Sequence, residues 1–180
     1  MSDTIYTNLR FDPDLTSFHS LAGEMAKAFG CRAELTIDSQ LAQLVRLRVA
    51  QLTPCSYCLI LHTRAASEKG INPDKVAHLA SWRQSKMFHA SERAALAYCE
   101  GLTDYDLNAF PALHEELTNH FNETEIAELA AVIINMNVWT RLKLAQGATP
   151  HAVTKNADPQ ATGKKQSPPD ANLWPNPNWS

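Results

Sequence analysis

Apolar residues recur along this chain every third or fourth position, not every second one. The stretch DLTSFHSLAGEMAKAFG begins at Asp14 and closes on Gly30, a helix stop. DSQLAQLVRLRVAQL follows from Asp38, and its Leu41, Leu44, Val45, Leu47 and Val49 predict a helix with a broad apolar face. Thr53-Pro54 interrupts, and a helix rich in cysteine runs on to Gly70. Asn72-Pro73 opens another, since Asn caps and Pro suits the first helical position. SERAALAYCEGLT and FPALHEELTNHF predict two shorter helices. Asn122 and Glu125 form a capping-box pattern ahead of the longest apolar helix, which ends at Gly147. No alternating strand pattern competes with these, and no repeat recurs at a fixed period. The expectation is an all-α domain of about seven helices with short connections, over residues 1–149.

Beyond it, residues 150–180 hold six of the ten prolines together with Trp174 and Trp179. Such an arm cannot be helical and has little core of its own. Its tryptophans are expected to dock on the domain or on a neighbouring subunit.

The net charge of −3 supplies no basic face, which argues against a nucleic-acid partner. The opening MSDTIYTNLRF lacks a basic n-region and an apolar h-region, and no apolar run reaches the roughly 18 residues of a membrane span. A cytoplasmic protein that binds no membrane is expected. Cysteines in such a protein point to redox or metal chemistry more often than to structural bridges. Cys31 and Cys99 stand alone and are read as small core residues or idle thiols.

The pair Cys55 and Cys58, with His62 four residues on, carries the chemistry. With Thr53 as cap and Pro54 at the first helical position, Cys55 falls in the first turn. At about 100° per residue, positions 55, 58 and 62 lie within roughly a 60° arc. The helix dipole and first-turn amides favour a thiolate there, and His62 can relay a proton at neutral pH. A redox pair is the leading reading. A metal site is weaker, because a structural zinc wants four ligands and only three are grouped. Plain packing is the third alternative. No cofactor is called for. If the two central helices form a tight antiparallel hairpin, Gln43 comes level with His62 and Gln51 with Cys55, so both are candidate proton-relay positions. Arg46 and Arg48 are read as solvated surface residues. Tyr57 is read as structural, facing away from the cysteines, and Trp139 as a packing or interface residue.

The run QLVRLRVAQLTPCSYCLILHTRAASEKG, Gln43 to Gly70, resembles the carboxymuconolactone decarboxylase superfamily in its AhpD-like alkylhydroperoxidase branch. ERAALAYCEGLT and NVWTRLKLA add to the likeness, which spans roughly residues 37–148. The resemblance implies an AhpD-like helical bundle assembling as dimers, trimers or hexamers. It implies reduction of small hydroperoxides, with Cys58 peroxidatic, Cys55 resolving and His62 in the proton relay. Cys58 would pass through a sulfenic acid to a disulfide with Cys55, and a dithiol or thioredoxin-like reductant would restore the pair. One position departs from the family: a glutamate stands twelve residues before its first cysteine, where this chain has Gln43. A carboxamide cannot take up a proton at neutral pH. Two rivals follow: a thiol–disulfide oxidoreductase, and a non-enzymatic stress or binding protein that has lost its base. His19, His78, His89, His114, His120 and His151 have no ligand-like spacing.

Overall fold

The computed structural model describes residues 4–152. Within them lie strand β1 (Thr4–Asn8), helices α1 (Phe18–Phe29), α2 (Ser39–Leu52), α3 (Ser56–Glu68), α4 (Pro73–Ala77), α5 (Ala90–Asp104), α6 (Phe110–Thr118) and α7 (Glu123–Gln146), and strand β2 (Ala148–Ala152). Short 3-10 turns cover Pro13–Leu15 and Leu79–Gln84. The all-α class is as expected; α1 begins at Phe18, later than the predicted Asp14, while the starts of α2, α4 and α7 have the caps expected. Asp38 accepts from the amides of Gln40 and Leu41, Asn72 from that of Asp74, and Asn122 and Glu125 close a capping box. Gly147 ends α7 in the left-handed region at φ 72°, a conformation glycine adopts without strain.

Helix α2 is the axis of the molecule. Its Leu41, Val45 and Val49 pack with Ala95 and Cys99 of α5 and with Val132 and Ile133 of α7. Its Leu44 and Leu47 face the other way, against Leu79, Trp82, Phe88 and Leu96. A helix apolar on most sides belongs inside, and each such leucine contributes roughly 1.5–3 kcal/mol by leaving water. Cys99 sits in this core with its Sγ 3.8 Å from the Val45 carbonyl, the small packing residue it was read to be.

The strands are a finding that the apolar pattern did not predict. β1 and β2 pair antiparallel, with Thr4 opposite Ala152 and Asn8 opposite Ala148. Five residues reading TIYTN carry too little alternation to stand out. Pro150 lies within β2, opposite Tyr6, so the folded chain continues past residue 149. In a two-stranded ribbon both strands are edges, where a proline is tolerated. The expectation for Trp174 and Trp179 lies outside the described residues. Among the described residues, no helix is long and apolar enough to cross a membrane.

Candidate active site at the junction of α2 and α3

Three residues turn the chain from α2 into α3. Thr53 ends α2, its Oγ1 donating 2.7 Å to the Val49 carbonyl, and the Cys55 amide still reaches back to Ala50. The new helix therefore starts two residues later than predicted. Cys55 is not in its first turn but is the cap itself, and its Sγ accepts the Cys58 amide at 3.3 Å. This is the position from which a side chain satisfies the open amides of a helix start.

The two thiols are then shifted in opposite directions. A hydrogen bond from the Cys58 thiol holds the Cys55 thiol below its usual range; burial opposes this, and the Cys58 amide and Lys143 support it. Cys58 is pushed far up, first by that same hydrogen bond and then by burial. The two titrate as a pair, with the Cys58 thiol donating to Cys55, on which a negative charge is the more easily held. Both sulfurs are nearly sealed, with Cys55 1% and Cys58 2% exposed.

Gln43 and His62 meet as the hairpin geometry predicted. The Gln43 Nε2 donates 2.9 Å to the His62 carbonyl and lies 3.2 Å from His62 Nδ1. The carbonyl fixes the orientation of the amide, since it can only accept. The second N–H of Gln43 then faces Nδ1, which must accept in turn, leaving the ring proton on Nε2. Burial, and secondarily Arg46, pushes His62 down to about 3, so the ring is neutral. Its Nδ1 is also 3.6 Å from the Sγ of Cys31.

Beside these lies a cavity of about 30 Å³, room for about two water molecules. Cys31, Arg46, Cys58, His62, Asn135 and Trp139 line it, with Tyr57 and Lys143. Arg46, read from sequence as solvated, is 2% exposed. Because α2 is enclosed on most sides, the guanidinium has no route to water, and its Nη2 donates instead to the Phe29 carbonyl at the end of α1. Its Nε, the Asn135 Oδ1 and the Trp139 Nε1 are buried without hydrogen-bond partners among the described residues. Tyr57 is a wall of the cavity, not a bystander, stacked on Tyr6 of β1 at 4.5 Å with the Lys143 Nζ 4.6 Å from its ring.

Gln51 is not drawn in. Its Oε1 accepts from Arg48, whose Nε binds Glu100 at 2.7 Å, and it does not line the cavity. The pattern along the sequence also missed Cys31. The only local signal was a cysteine directly after a helix stop, and what brings it to His62 is the docking of α1. No group of three or more His, Cys, Asp or Glu side chains among the described residues is gathered to hold a metal.

The chain is similar to several known proteins. Residues 22–101 match the model of the carboxymuconolactone decarboxylase family. The chain is 26% identical over 136 residues to the uncharacterized protein YdfG of Bacillus subtilis, covering 73% of this chain and 92% of YdfG. It is 32% identical over 114 residues to the uncharacterized protein YnjA of Escherichia coli, covering 63% of each. Among solved structures, a protein of unknown function from Agrobacterium tumefaciens, described as an AhpD-type antioxidant defence protein, superposes with a TM-score of 0.65 at 20% identity, over 78% of this chain and 95% of that one. The debrominase Bmp8 superposes at 0.60 and 22% identity, over 76% and 71% of the two chains. Residues 22–101 are thus similar to the carboxymuconolactone decarboxylase family, and the chain has the AhpD-like all-helical fold. By their names, proteins of this fold include an antioxidant defence protein and a debrominase, so the fold by itself does not select the reaction.

Proposed function

We propose that the protein is a thiol peroxidase that reduces small organic hydroperoxides at Cys58, with Cys55 as both proton acceptor and resolving thiol. The observation that carries this is the hydrogen-bonded pair Cys58–Cys55 at the start of α3, with Cys58 facing the cavity and Cys55 absent from its lining. The Cys58 proton passes across the hydrogen bond to Cys55. The Cys58 sulfur attacks the terminal oxygen of the hydroperoxide, the O–O bond breaks, and the leaving alkoxide takes the proton back from Cys55. The products are an alcohol and Cys58 sulfenic acid. The Cys55 thiolate then attacks the Cys58 sulfur, the S–O bond breaks, hydroxide leaves as water with a proton from solvent, and a disulfide remains. An external dithiol returns the pair to its reduced state.

This assignment dispenses with the missing glutamate. Gln43 leaves His62 with a donor on Nε2, suited to holding an anion and not to taking a proton from a thiol. Arg46 and Lys143 place positive charge beside the departing alkoxide. The unpartnered atoms fit the same substrate head: Arg46 Nε and Trp139 Nε1 donate, Asn135 Oδ1 accepts, and a hydroperoxide both accepts and donates. The sealed sulfurs favour a small substrate over a protein disulfide.

The test is the loss of free thiols from reduced protein on adding cumene hydroperoxide, beside Cys58→Ser. Rapid loss that vanishes in the variant is the expected result; loss no faster than that of free cysteine refutes the proposal. Gln43→Glu, which can carry a proton to and from His62, is expected to speed thiol loss on the order of 100-fold, the low end of general-base effects. Unchanged kinetics would remove position 43 from the proton relay.

A further inference from the structure

We propose that Cys31 is a third redox thiol of this site, which exchanges with the Cys55–Cys58 disulfide and carries its oxidising equivalent to a dithiol reductant outside. The inference rests on the pair cycling through a disulfide, as proposed above, and it begins from a problem of access. Cys55 and Cys58 are buried, so a protein dithiol cannot touch either sulfur in the folded state. Thiol–disulfide exchange needs contact of sulfur with sulfur. Of the four cysteines, Cys31 alone is partly exposed, and it lines the same cavity as Cys58.

The surroundings of Cys31 suit the role. Gly30 has no room for a side chain, since a Cβ there would stand 2.3 Å from the Ala26 carbonyl, so the chain turns sharply off α1 at this point. Arg46 holds the end of that helix through the Phe29 carbonyl, which fixes the turn against α2. The Cys31 Sγ ends 3.6 Å from His62 Nδ1, which sets it at the edge of the thiol site. Burial raises the Cys31 thiol while Arg46 draws it down, so it rests as a thiol and attacks only when the pair is oxidised.

The exchange balances. The Cys31 sulfur attacks the Cys58 sulfur, the Cys55–Cys58 bond breaks, and Cys55 leaves as the thiolate that its capping position stabilises; a low-pKa thiol is the better leaving group. The Cys31 proton leaves to solvent, which reaches this partly exposed residue. Of the two residues in the resulting Cys31–Cys58 disulfide, Cys31 is the one that solvent reaches in part. An external dithiol attacks Cys31 and then resolves on itself, leaving Cys31 and Cys58 reduced and the reductant oxidised. The exchange requires the Cα atoms of residues 31 and 58 to come within about 7 Å.

The test avoids peroxide, so that it stands apart from the peroxidase assignment. Cys55→Ser protein is oxidised with diamide, quenched in acid, blocked with N-ethylmaleimide and digested with trypsin. Cleavage after Lys27, Arg32, Arg48 and Arg64 puts Cys31 in residues 28–32 and Cys58 in residues 49–64. The expected product is these two peptides joined by a disulfide, absent when Cys31→Ser is added. Should Cys55→Ser fail to fold, wild-type protein treated with one equivalent of diamide is expected to give the same joined peptides carrying one blocked cysteine. Diamide-oxidised Cys31→Ser is expected to be reduced by a thioredoxin-type protein about tenfold more slowly than wild type, while dithiothreitol reduces the two within about twofold of each other. Absence of the joined peptides from both proteins, or an unchanged rate with the protein reductant, overturns the proposal. Joined peptides with diamide but no thiol loss with cumene hydroperoxide would uphold the third thiol and refute the peroxidase.

Discussion

Protonating His62 would set a second positive charge inside a wall that already holds Arg46, and burial alone makes any charge there costly. The folded ring therefore gains its proton only near pH 3, against about 6.5 for the unfolded chain. A histidine whose folded pKa is depressed lends stability that is complete above pH 6.5 and is lost as pH falls from there toward 3. One proton changes stability by about 1.4 kcal/mol per pH unit, so acidification from 6.5 to 5 removes about 2 kcal/mol through this residue. In Gln43→Glu, a carboxylate beside Nδ1 favours the imidazolium and narrows that window. Urea unfolding at pH 7 and pH 5 checks this: wild type is expected to lose about 2 kcal/mol through His62 between the two, and Gln43→Glu less than that. Equal losses would mean that position 43 does not govern the ring.

At the scale of elements, the site is set by how three helices end or begin: α1 at Gly30, α2 at Thr53 and α3 at Cys55. Gly30→Ala is expected to destabilise the protein by roughly 1–3 kcal/mol, because the helical Ala26 carbonyl, already bonded to the Gly30 amide at 2.8 Å, cannot move aside. A lower urea midpoint at unchanged slope is the check; an unchanged midpoint would mean that the turn relaxes freely. The helices themselves were legible in the sequence, because period and capping residues are local signals. Asp38, Asn72, Asn122 and Gly147 each do what their residue types predict. Period and caps placed Cys58 and His62 on one helix, as found, while Cys55 proved to be the cap of that helix and not part of its first turn. What lay beyond the sequence was tertiary. Thr53 could cap either helix in principle, and only the fold assigns it to the end of α2 and hands the start of α3 to Cys55. Arg46 looked like a surface residue because its own type is usually solvated, although the broad apolar face of its helix already hinted at burial. Cys31 lies 31 residues from His62 in sequence, and no short-range pattern reports that α1 folds back on them.

For the molecule as a whole, α1 leaves a stripe of apolar side chains facing water. Phe18, Leu21 and Met25 follow one another at helical spacing, with Leu15 just ahead, and Leu21 is 60% exposed. A stripe of this kind fits a second copy of the chain. Light scattering is expected to give a mass that is a multiple of 20.0 kDa, and Leu21→Lys is expected to return it toward one chain. A monomeric wild type would refute this. The ribbon of β1 and β2 brings together segments 144 residues apart, tied by Thr7 Oγ1 and His151 Nε2 at 2.7 Å. Through Tyr6 it holds Tyr57, and so one wall of the thiol cavity, shut. A two-stranded ribbon has little stability of its own, and closing so long a loop comes late in folding. The thiol pair is thus sheltered in part by a ribbon that forms only when the two ends of the described chain meet. A chain still being synthesised, or one whose clasp has briefly parted, carries that wall unfastened while its helices stand, so access to the pair is metered by the clasp as much as by the width of the cavity.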